Sequence, residues 1–188
     1  WKAPDDGSYE LAADFEGIAK PQTTSEIHIY HNSESLFDGL LNIDGHANTA
    51  HYQGQAKLRK GDKIDVVVGI GNDVPFGDTT ALKMTIIGPE GAVYDAVADF
   101  TTDRNPNGCW QYGWLKPDKI PNLNTFSLYD QKEPKYGVAI GTVSNPGMLE
   151  WQDILSDRHP YPQAPHTAST IQYLRTFDGG KPPLFVSE

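Results

Sequence analysis

Cysteine, basic residues and long apolar runs are all scarce in this sequence. Cys109 is the one cysteine among 188 residues, so no intramolecular disulfide is expected. Lys and Arg number 15 against 25 Asp and Glu, and the net charge of −10 argues against binding to nucleic acids or anionic membranes, which need basic surfaces. No run of about 18 apolar residues is present, so no membrane-spanning helix is expected. The composition leaves the oligomeric state open.

Signatures of several catalytic classes are missing as well. The six histidines show no zinc-binding pattern, because His28 and His31 are not at helical spacing and no cysteine lies near enough in sequence to complete a set. No P-loop, glycine-rich phosphate loop or nucleophile-elbow serine is present. We therefore expect no required cofactor.

Acidic and amide side chains cluster in one predicted loop, residues 69–80. Asn72, Asp73 and Asp78 lie in this loop, and Asp65 shortly precedes it. Calcium prefers oxygen ligands from loop carboxylates and carbonyls, although the spacing here is not that of an EF-hand. A structural calcium ion held by Asp73 and Asp78 is one interpretation. A solvated acidic loop is the alternative.

The first 100 residues predict short strands separated by turns rich in Gly, Pro and Asp. Residues 8–16 alternate, which places Tyr9, Leu11, Ala13 and Phe15 on one face of an extended strand. The further predicted strands are residues 26–30, 36–43, 50–58, 64–70, 82–87 and 93–100. Strands at this spacing are typical of a β-sandwich or jelly roll, so a mostly β fold is expected.

Three aromatic residues, Trp110, Tyr112 and Trp114, alternate along the chain. In an extended segment they share one face, and an exposed set would form a flat platform for sugar rings. The alternative is that they belong to the core of the sandwich, because large aromatic side chains dominate core packing.

The last 30 residues show a different pattern. Ala168, Ile171, Leu174 and Phe177 recur every three residues and predict a short helix. The apolar run at residues 184–186 is then typical of a buried parallel strand. A carboxylate, Glu188, follows that strand, and in β/α barrels catalytic groups stand at the carboxyl ends of strands.

The segments 151–161 and 184–188 resemble the late part of a clan A glycoside hydrolase barrel, most closely the family 2-type enzymes related to β-galactosidase. Trp151 begins the first segment and its end reads His159-Pro160-Tyr161, while the second reads Leu-Phe-Val-Ser-Glu. The resemblance covers roughly residues 137–188. It implies that Glu188 is the nucleophile of a retaining hydrolase and that His159 and Tyr161 contact the substrate.

A retaining glycosidase also needs an acid/base carboxylic acid about 5 Å from the nucleophile. In the family that this chain resembles, the acid/base Glu follows an Asn, and no Asn-Glu pair occurs in this sequence. A complete β/α barrel needs about 250 residues, more than remain beside the β-rich first part. We therefore expect a piece of a larger enzyme, inactive as an isolated chain.

The first part of the chain resembles a jelly-roll module of carbohydrate-binding type, such as occur in large secreted polysaccharide-degrading proteins of environmental bacteria. The motifs that carry this resemblance are Trp1-x-Ala3-Pro4-x-x-Gly7-x-Tyr9, Lys60-Gly61-Asp62-x-Ile64-Asp65, Asp78-Thr79-Thr80-x-Leu82-x-Met84, and Asn105-Pro106-Asn107-Gly108-x-Trp110-x-Tyr112-Gly113-Trp114. The resemblance implies a sandwich domain at 1–130, an α/β segment at 131–188, and a secreted, periplasmic or cell-surface location.

Together these patterns predict part of a modular glycoside hydrolase, with carbohydrate as the partner. The predicted fold is mostly β, with a short C-terminal α/β segment resembling part of a barrel. Two alternatives remain open: a non-catalytic sugar-binding module, and a structural or adhesion module without sugar affinity. Fold analogy alone does not decide among them.

Overall fold

The computed structural model of the protein describes residues 1–17, 23–69, 80–100, 104–115 and 121–128, together with short strands at 131–133, 138–140, 148–149 and 184–186. For these four strands and for Trp114 it describes the backbone alone. The Gly-, Pro- and Asp-rich segments predicted as turns do separate the strands of the first hundred residues.

The described residues contain thirteen strands and two single 3₁₀ turns. The strands are β1 (Gly7–Gly17), β2 (Ser25–His31), β3 (Glu34–Leu41), β4 (Thr49–Leu58), β5 (Ile64–Gly69), β6 (Thr80–Ile87), β7 (Val93–Asp95), β8 (Gly113–Trp114), β9 (Ser127–Leu128), β10 (Gln131–Glu133), β11 (Val138–Ile140), β12 (Met148–Leu149) and β13 (Leu184–Val186). The 3₁₀ turns are Pro89–Gly91 and Leu123–Thr125.

Two antiparallel sheets make up the first part of the chain, consistent with a β-sandwich. The first sheet has the strand order β13-β6-β1-β4, with β7 also paired to β6. The second sheet has the order β3-β2-β5. Two smaller pairings, β8-β9 and β10-β11-β12, complete the described strands. The prediction of a mostly β protein is therefore confirmed.

The core lies between the inward faces of the two sheets. Alternate residues of β1 are buried, and the predicted common face of Tyr9, Leu11, Ala13 and Phe15 is confirmed, each with at most 1% of its surface exposed. Leu82, Met84 and Ile86 of β6 lie beside them in the same sheet, and Ile27 and Ile29 of β2 belong to the second sheet and pack in the same core. Burial of every second residue is expected in a structure of two packed sheets, because each strand turns one row of side chains to the core.

The apolar run Leu184–Val186 does form a strand, but the predicted parallel pairing is wrong. β13 pairs antiparallel with the start of β6, where Leu184 lies opposite Leu82 and Val186 opposite Thr80. Three consecutive apolar residues indicate burial without fixing the direction of pairing. The helix predicted from Ala168 to Phe177 lies outside the described residues.

Asp62 ties the β2–β3 turn to the β4–β5 turn at one end of the molecule. Its carboxylate accepts hydrogen bonds from the backbone N–H of Arg59 at 2.9 Å and from Asn32 Nδ2 at 3.2 Å, and lies 3.2 Å from His31 Nε2. Asn32 Oδ1 in turn accepts from the N–H of Lys63 at 3.0 Å. The Arg59 amide, followed by the Asn32 and His31 side chains, lowers the pKa of Asp62 from 3.8 to about 2.

The lowered pKa of Asp62 predicts how the free energy of unfolding changes at acid pH. Because the pKa of Asp62 is lower in the folded than in the unfolded chain, its contribution to stability is complete above about pH 4 and is lost as the pH falls through about 2. We expect Asp62→Asn to be less stable at neutral pH and to lose less of its free energy of unfolding than the wild type between those values. Urea unfolding at a series of pH values measures this. Glu34→Gln, an exposed carboxylate without a hydrogen bond in the described part of the chain, is the control and should retain the wild-type acid dependence.

Candidate functional site

A cleft opens along the outer edge of β5, between this strand and the segment 110–115. Leu82 and Met84 of β6 form its floor, and Phe126 stands on the far wall. The cleft has a volume of about 120 Å³, well above the roughly 10–15 Å³ that one water molecule requires. It brings two of the aromatic residues singled out from the sequence, Trp110 and Tyr112, to one place.

Trp110 and Tyr112 are core residues. They have 5% and 4% of their surface exposed and alternate with the exposed Gln111. Trp110 Nε1 donates to the Asp99 carboxylate at 3.0 Å, and the Tyr112 hydroxyl donates to the Ala96 carbonyl at 3.2 Å. Burial raises the pKa of the Tyr112 phenol. The prediction of an exposed platform is therefore wrong for these two rings, and the alternative of core packing is confirmed for them.

The Asn-Pro-Asn-Gly turn holds these two rings in place. The Asn105 side chain bonds both main-chain groups of Tyr112, donating to its carbonyl at 2.6 Å and accepting from its N–H at 3.0 Å. Asn107 exchanges two main-chain hydrogen bonds with Trp110, each 3.0 Å long. Asn107 Nδ2 also donates to the carbonyl of Asp99, the residue that accepts from the Trp110 indole. The motif recognised in the sequence thus has a structural role in the described chain.

Trp1 closes one end of the cleft. Its ring packs edge-on against Tyr9 and Tyr94, with centroids 5.4 and 5.2 Å apart, and is 6% exposed. Its indole Nε1 is buried without a hydrogen-bond acceptor in the described chain. Beside it lies Asp65, whose carboxyl pKa is raised by burial. Apart from Lys63, Asp65 and Gln111, the side chains that line the cleft are apolar or aromatic.

A second concavity lies on the outer face of the first sheet, which we call the trough. It is defined by Glu10 and Ala12 of β1, Gln53 and Gln55 of β4, and Thr85 and Ile87 of β6, and has a volume of about 300 Å³. In the sheet register, Ala12 lies between Gln53 and Thr85, and Glu10 lies between Gln55 and Ile87. The small side chain of Ala12 therefore makes a low floor, flanked by longer polar side chains.

The trough was not predicted from the sequence, although the sequence contains a pattern that indicates its polar face. Gln53 and Gln55 are exposed and alternate with inward residues of β4, so they stand on one face about 7 Å apart along the strand. Neither amide makes a hydrogen bond within the described part of the chain, which leaves both free to bind a ligand. The alternation Gln-x-Gln in a predicted strand marks a polar face. It does not show which strands flank it.

The remaining site predictions fall outside the described residues. This holds for the proposed nucleophile Glu188, for the substrate contacts His159 and Tyr161, and for the calcium ligands Asp73 and Asp78, so each stays a prediction. Trp114 lies in β8, and its side chain is outside the description. Among the described residues, no group of three or more His, Cys, Asp or Glu side chains is arranged to hold a metal ion. No helix in that part is both long and apolar enough to cross a membrane.

No family model, curated protein or solved structure matches this chain.

Proposed function

We propose that this chain contains a carbohydrate-binding module of jelly-roll type, and that the trough on the first sheet binds a neutral polysaccharide. The observation that carries the proposal is the pair of side-chain amides at Gln53 and Gln55, which make no hydrogen bond within the described residues and stand on one sheet face. The proposal also rests on the resemblance of residues 1–130 to modules of this type. It makes the protein a binding module in its own right, without catalysis by the sandwich.

The chemistry of the trough suits a polyhydroxyl ligand. A glutamine side chain offers one acceptor oxygen and two N–H donors, so it pairs with a sugar hydroxyl acting in either direction. Glu10 adds acceptors and Thr85 adds a hydroxyl, while Ile87, 38% exposed, offers an apolar contact for the C–H face of a ring. Side chains on strands are held more rigidly than those on loops, which lowers the entropic cost of binding.

The charged residues in and around the trough indicate which class of glycan it binds. Among the described residues, no Lys or Arg lines the trough, and Glu10 is the one ionised group in its lining. The whole chain carries a net charge of −10. A glycan bearing carboxylates or sulfates would place like charge beside Glu10, whereas the exposed Lys57 and Lys83 stand on the same face just outside the trough, so we expect a neutral glycan to bind more tightly than an acidic one.

The cleft is less suited to sugar. Stacking on a ring requires an exposed aromatic face, and Trp110 and Tyr112 are only 5% and 4% exposed. Their polar atoms already bond Asp99 and Ala96. The rest of the cleft is largely apolar, and buried sugar hydroxyls left without partners there would weaken binding.

The proposal is tested by calorimetric titration with neutral and acidic polysaccharides. We expect saturable binding to at least one neutral glycan, weakened about two- to tenfold by either Gln53→Ala or Gln55→Ala, since each removes net hydrogen bonds of about 0.5–1.5 kcal/mol. Both side chains are exposed, so the free energy of unfolding should change by no more than about 0.5 kcal/mol.

Thr49→Ala, an exposed position on the same strand beyond the trough, is the matched control and should bind as the wild type does. Binding that persists unchanged in the Gln53→Ala, Gln55→Ala double variant would exclude the trough. Repeating the titration in EDTA tests the calcium prediction at Asp73 and Asp78, since loss of binding or stability in the chelator would support it.

A structural or adhesion module without sugar affinity is the second candidate. Burial of Trp110 favours it, because that reading expects the ring in the core. Absence of binding across the whole glycan panel, with the module folded, would support it over the first proposal.

The activity of a parent enzyme is a separate proposal that rests on the resemblance of residues 137–188 to clan A barrels. In it, Glu188 attacks the anomeric carbon and His159 and Tyr161 contact the sugar. We expect the isolated chain to show no glycosidase turnover. Turnover that disappears in Glu188→Gln would contradict that expectation.

A further inference from the structure

An exposed aliphatic pair lies at one end of the trough. Ile87, the last residue of β6, is paired with Val93, the first residue of β7, so the two side chains stand side by side on the outer face of the sheet. Ile87 is 38% exposed and Val93 is 62% exposed. Ile87 also belongs to the lining of the trough. The pair therefore gives an otherwise polar site an apolar end.

The pair is held in place by the tight turn that joins β6 to β7. The Gly88 N–H donates to the Ala92 carbonyl at 2.7 Å, directly beyond the pair, and the 3₁₀ turn Pro89–Gly91 closes the connection. The Pro89 ring packs so closely on Gly7 that a Cβ at that glycine would overlap it. Both side chains of the pair are β-branched and have restricted χ1 angles, so their methyl groups lose little conformational freedom when a ligand binds.

The polar and apolar parts of the trough lie on opposite edges. Gln53 and Gln55 stand on β4 and Ile87 stands on β6, with β1 between them. Two strand spacings separate β4 from β6, about 10 Å, so one sugar ring can contact both edges. In one row the order across the sheet is Gln55, Glu10, Ile87 and Val93. A sugar held by its hydroxyl groups at the amides therefore points its opposite edge at the aliphatic pair.

The described lining of the trough contains no aromatic side chain. A pyranose stacks its flat C–H face on an aromatic ring, and the floor at Glu10 and Ala12 offers no such surface. Ile87 and Val93 present branched methyl groups instead. These make a favourable contact with another methyl group and a poor one with a hydroxyl, which would lose part of its hydration there without gaining a hydrogen bond.

We propose that the trough selects neutral glycans that carry a 6-deoxy sugar, in which C6 is a methyl group, over the corresponding hexose, in which C6 carries a hydroxyl. Gln53 and Gln55 bind ring hydroxyls, and Ile87 and Val93 contact the C6 methyl. This inference rests on the proposed glycan-binding function and adds the class of sugar to it. The amides supply the hydrogen bonds, and the aliphatic pair supplies the selectivity.

The test compares methyl glycosides that differ only at O6, by titration followed with amide NMR. The pairs are fucoside and galactoside, in D and L forms, and L-rhamnoside and L-mannoside. We expect at least one 6-deoxy member to bind about three- to tenfold more tightly than its hexose partner. An enclosed apolar pocket gives about tenfold or more for one methylene group, and this pair is partly open to solvent. Saturation-transfer signals should be strongest at the C6 methyl.

Substitutions at the aliphatic pair separate selectivity from binding. Ile87→Thr and Val93→Thr keep β-branched residues, which suit a strand, and replace an alkyl group with a hydroxyl. The double variant should lower the preference for the 6-deoxy member to less than twofold and bind the hexose partner as tightly as before. Gln53→Ala should instead weaken both members equally. Thr49→Ala, outside the trough on β4, is the control and should keep the full preference.

The outcomes distinguish this inference from the function on which it rests. If neither the glycosides nor any polysaccharide binds, the glycan-binding function is wrong and the inference fails with it. If sugars bind through Gln53 but the two members of every pair bind equally, the inference alone is wrong. The same holds if the preference survives in the double variant, or if a polysaccharide binds at the trough and no glycoside does so at its solubility limit.

Discussion

Replacing Trp110 with alanine should lower the free energy of unfolding by about 3–5 kcal/mol, the usual cost of deleting a buried Trp or Phe. The indole is 95% buried in the core of the sandwich, and its Nε1 donates a hydrogen bond to Asp99. The truncation leaves a cavity and removes one of the two hydrogen bonds to Asp99 Oδ2, which keeps the bond from the Asp95 N–H. Equilibrium urea unfolding followed by circular dichroism measures the loss, with the m value showing whether the unfolded state has changed.

Two further variants separate the contribution of the buried ring from that of its hydrogen bond to Asp99. Trp110→Phe keeps most of the buried ring and removes the donor to Asp99, so we expect a loss of about 1–3 kcal/mol. Gln111→Ala, the exposed neighbour, should change stability by no more than about 0.5 kcal/mol. If Trp110→Ala were as stable as the wild type and instead lost glycan binding, the ring would be a sugar platform after all.

The second large effect is expected at Asn105. Asn105→Ala leaves the N–H and C=O of Tyr112 without the side chain that satisfies both, and each unsatisfied, partly buried group costs about 1–3 kcal/mol. Tyr112 is 4% exposed, so water cannot readily replace the lost amide. Thermal and urea unfolding should both report the loss.

A matched pair of substitutions tests the cause. Asn105→Asp keeps an acceptor for the Tyr112 N–H but sets a carboxylate oxygen against the Tyr112 carbonyl, so at neutral pH it should be at least as destabilising as one lost hydrogen bond. Protonating that carboxyl supplies a donor again, so the defect relative to wild type should shrink as the pH is lowered. Asn124→Ala, an exposed asparagine without such bonds, is the control. An equal defect in the Asp variant at all pH values would argue against the bidentate pairing.

Which side chains face the core was largely predictable from alternation. Tyr9, Leu11, Ala13 and Phe15 share a face because successive side chains of any strand point to opposite sides, and only one side of a sandwich sheet is dry. The same rule put Ile27 and Ile29 together. These are local consequences of the backbone and need no knowledge of neighbouring strands.

Two other features depend on contacts with other strands and loops, and the alternation of residues along one strand does not predict them. The alternation correctly predicts that Trp110 and Tyr112 share a face. It does not predict whether that face is buried or exposed to solvent. Burial was decided by Asp99 and Ala96, which lie more than ten residues earlier in the chain and accept their polar hydrogens. The trough is likewise a property of register, since Gln53 becomes part of a site only by standing opposite Ala12.

The central position of β1 has a consequence for how fast the protein folds. β1 lies between β4 and β6, so Glu10 must find Gln55 on one side and Ile87 on the other. Pairings so distant in sequence are slow, and sandwich domains fold in about milliseconds to seconds. The β2–β3 hairpin, joined by two residues with Asn32 at φ 55°, needs only about 1–10 μs. We therefore expect the local hairpin contacts to form faster than the pairing of β1, which is complete only when both β4 and β6 have been synthesised.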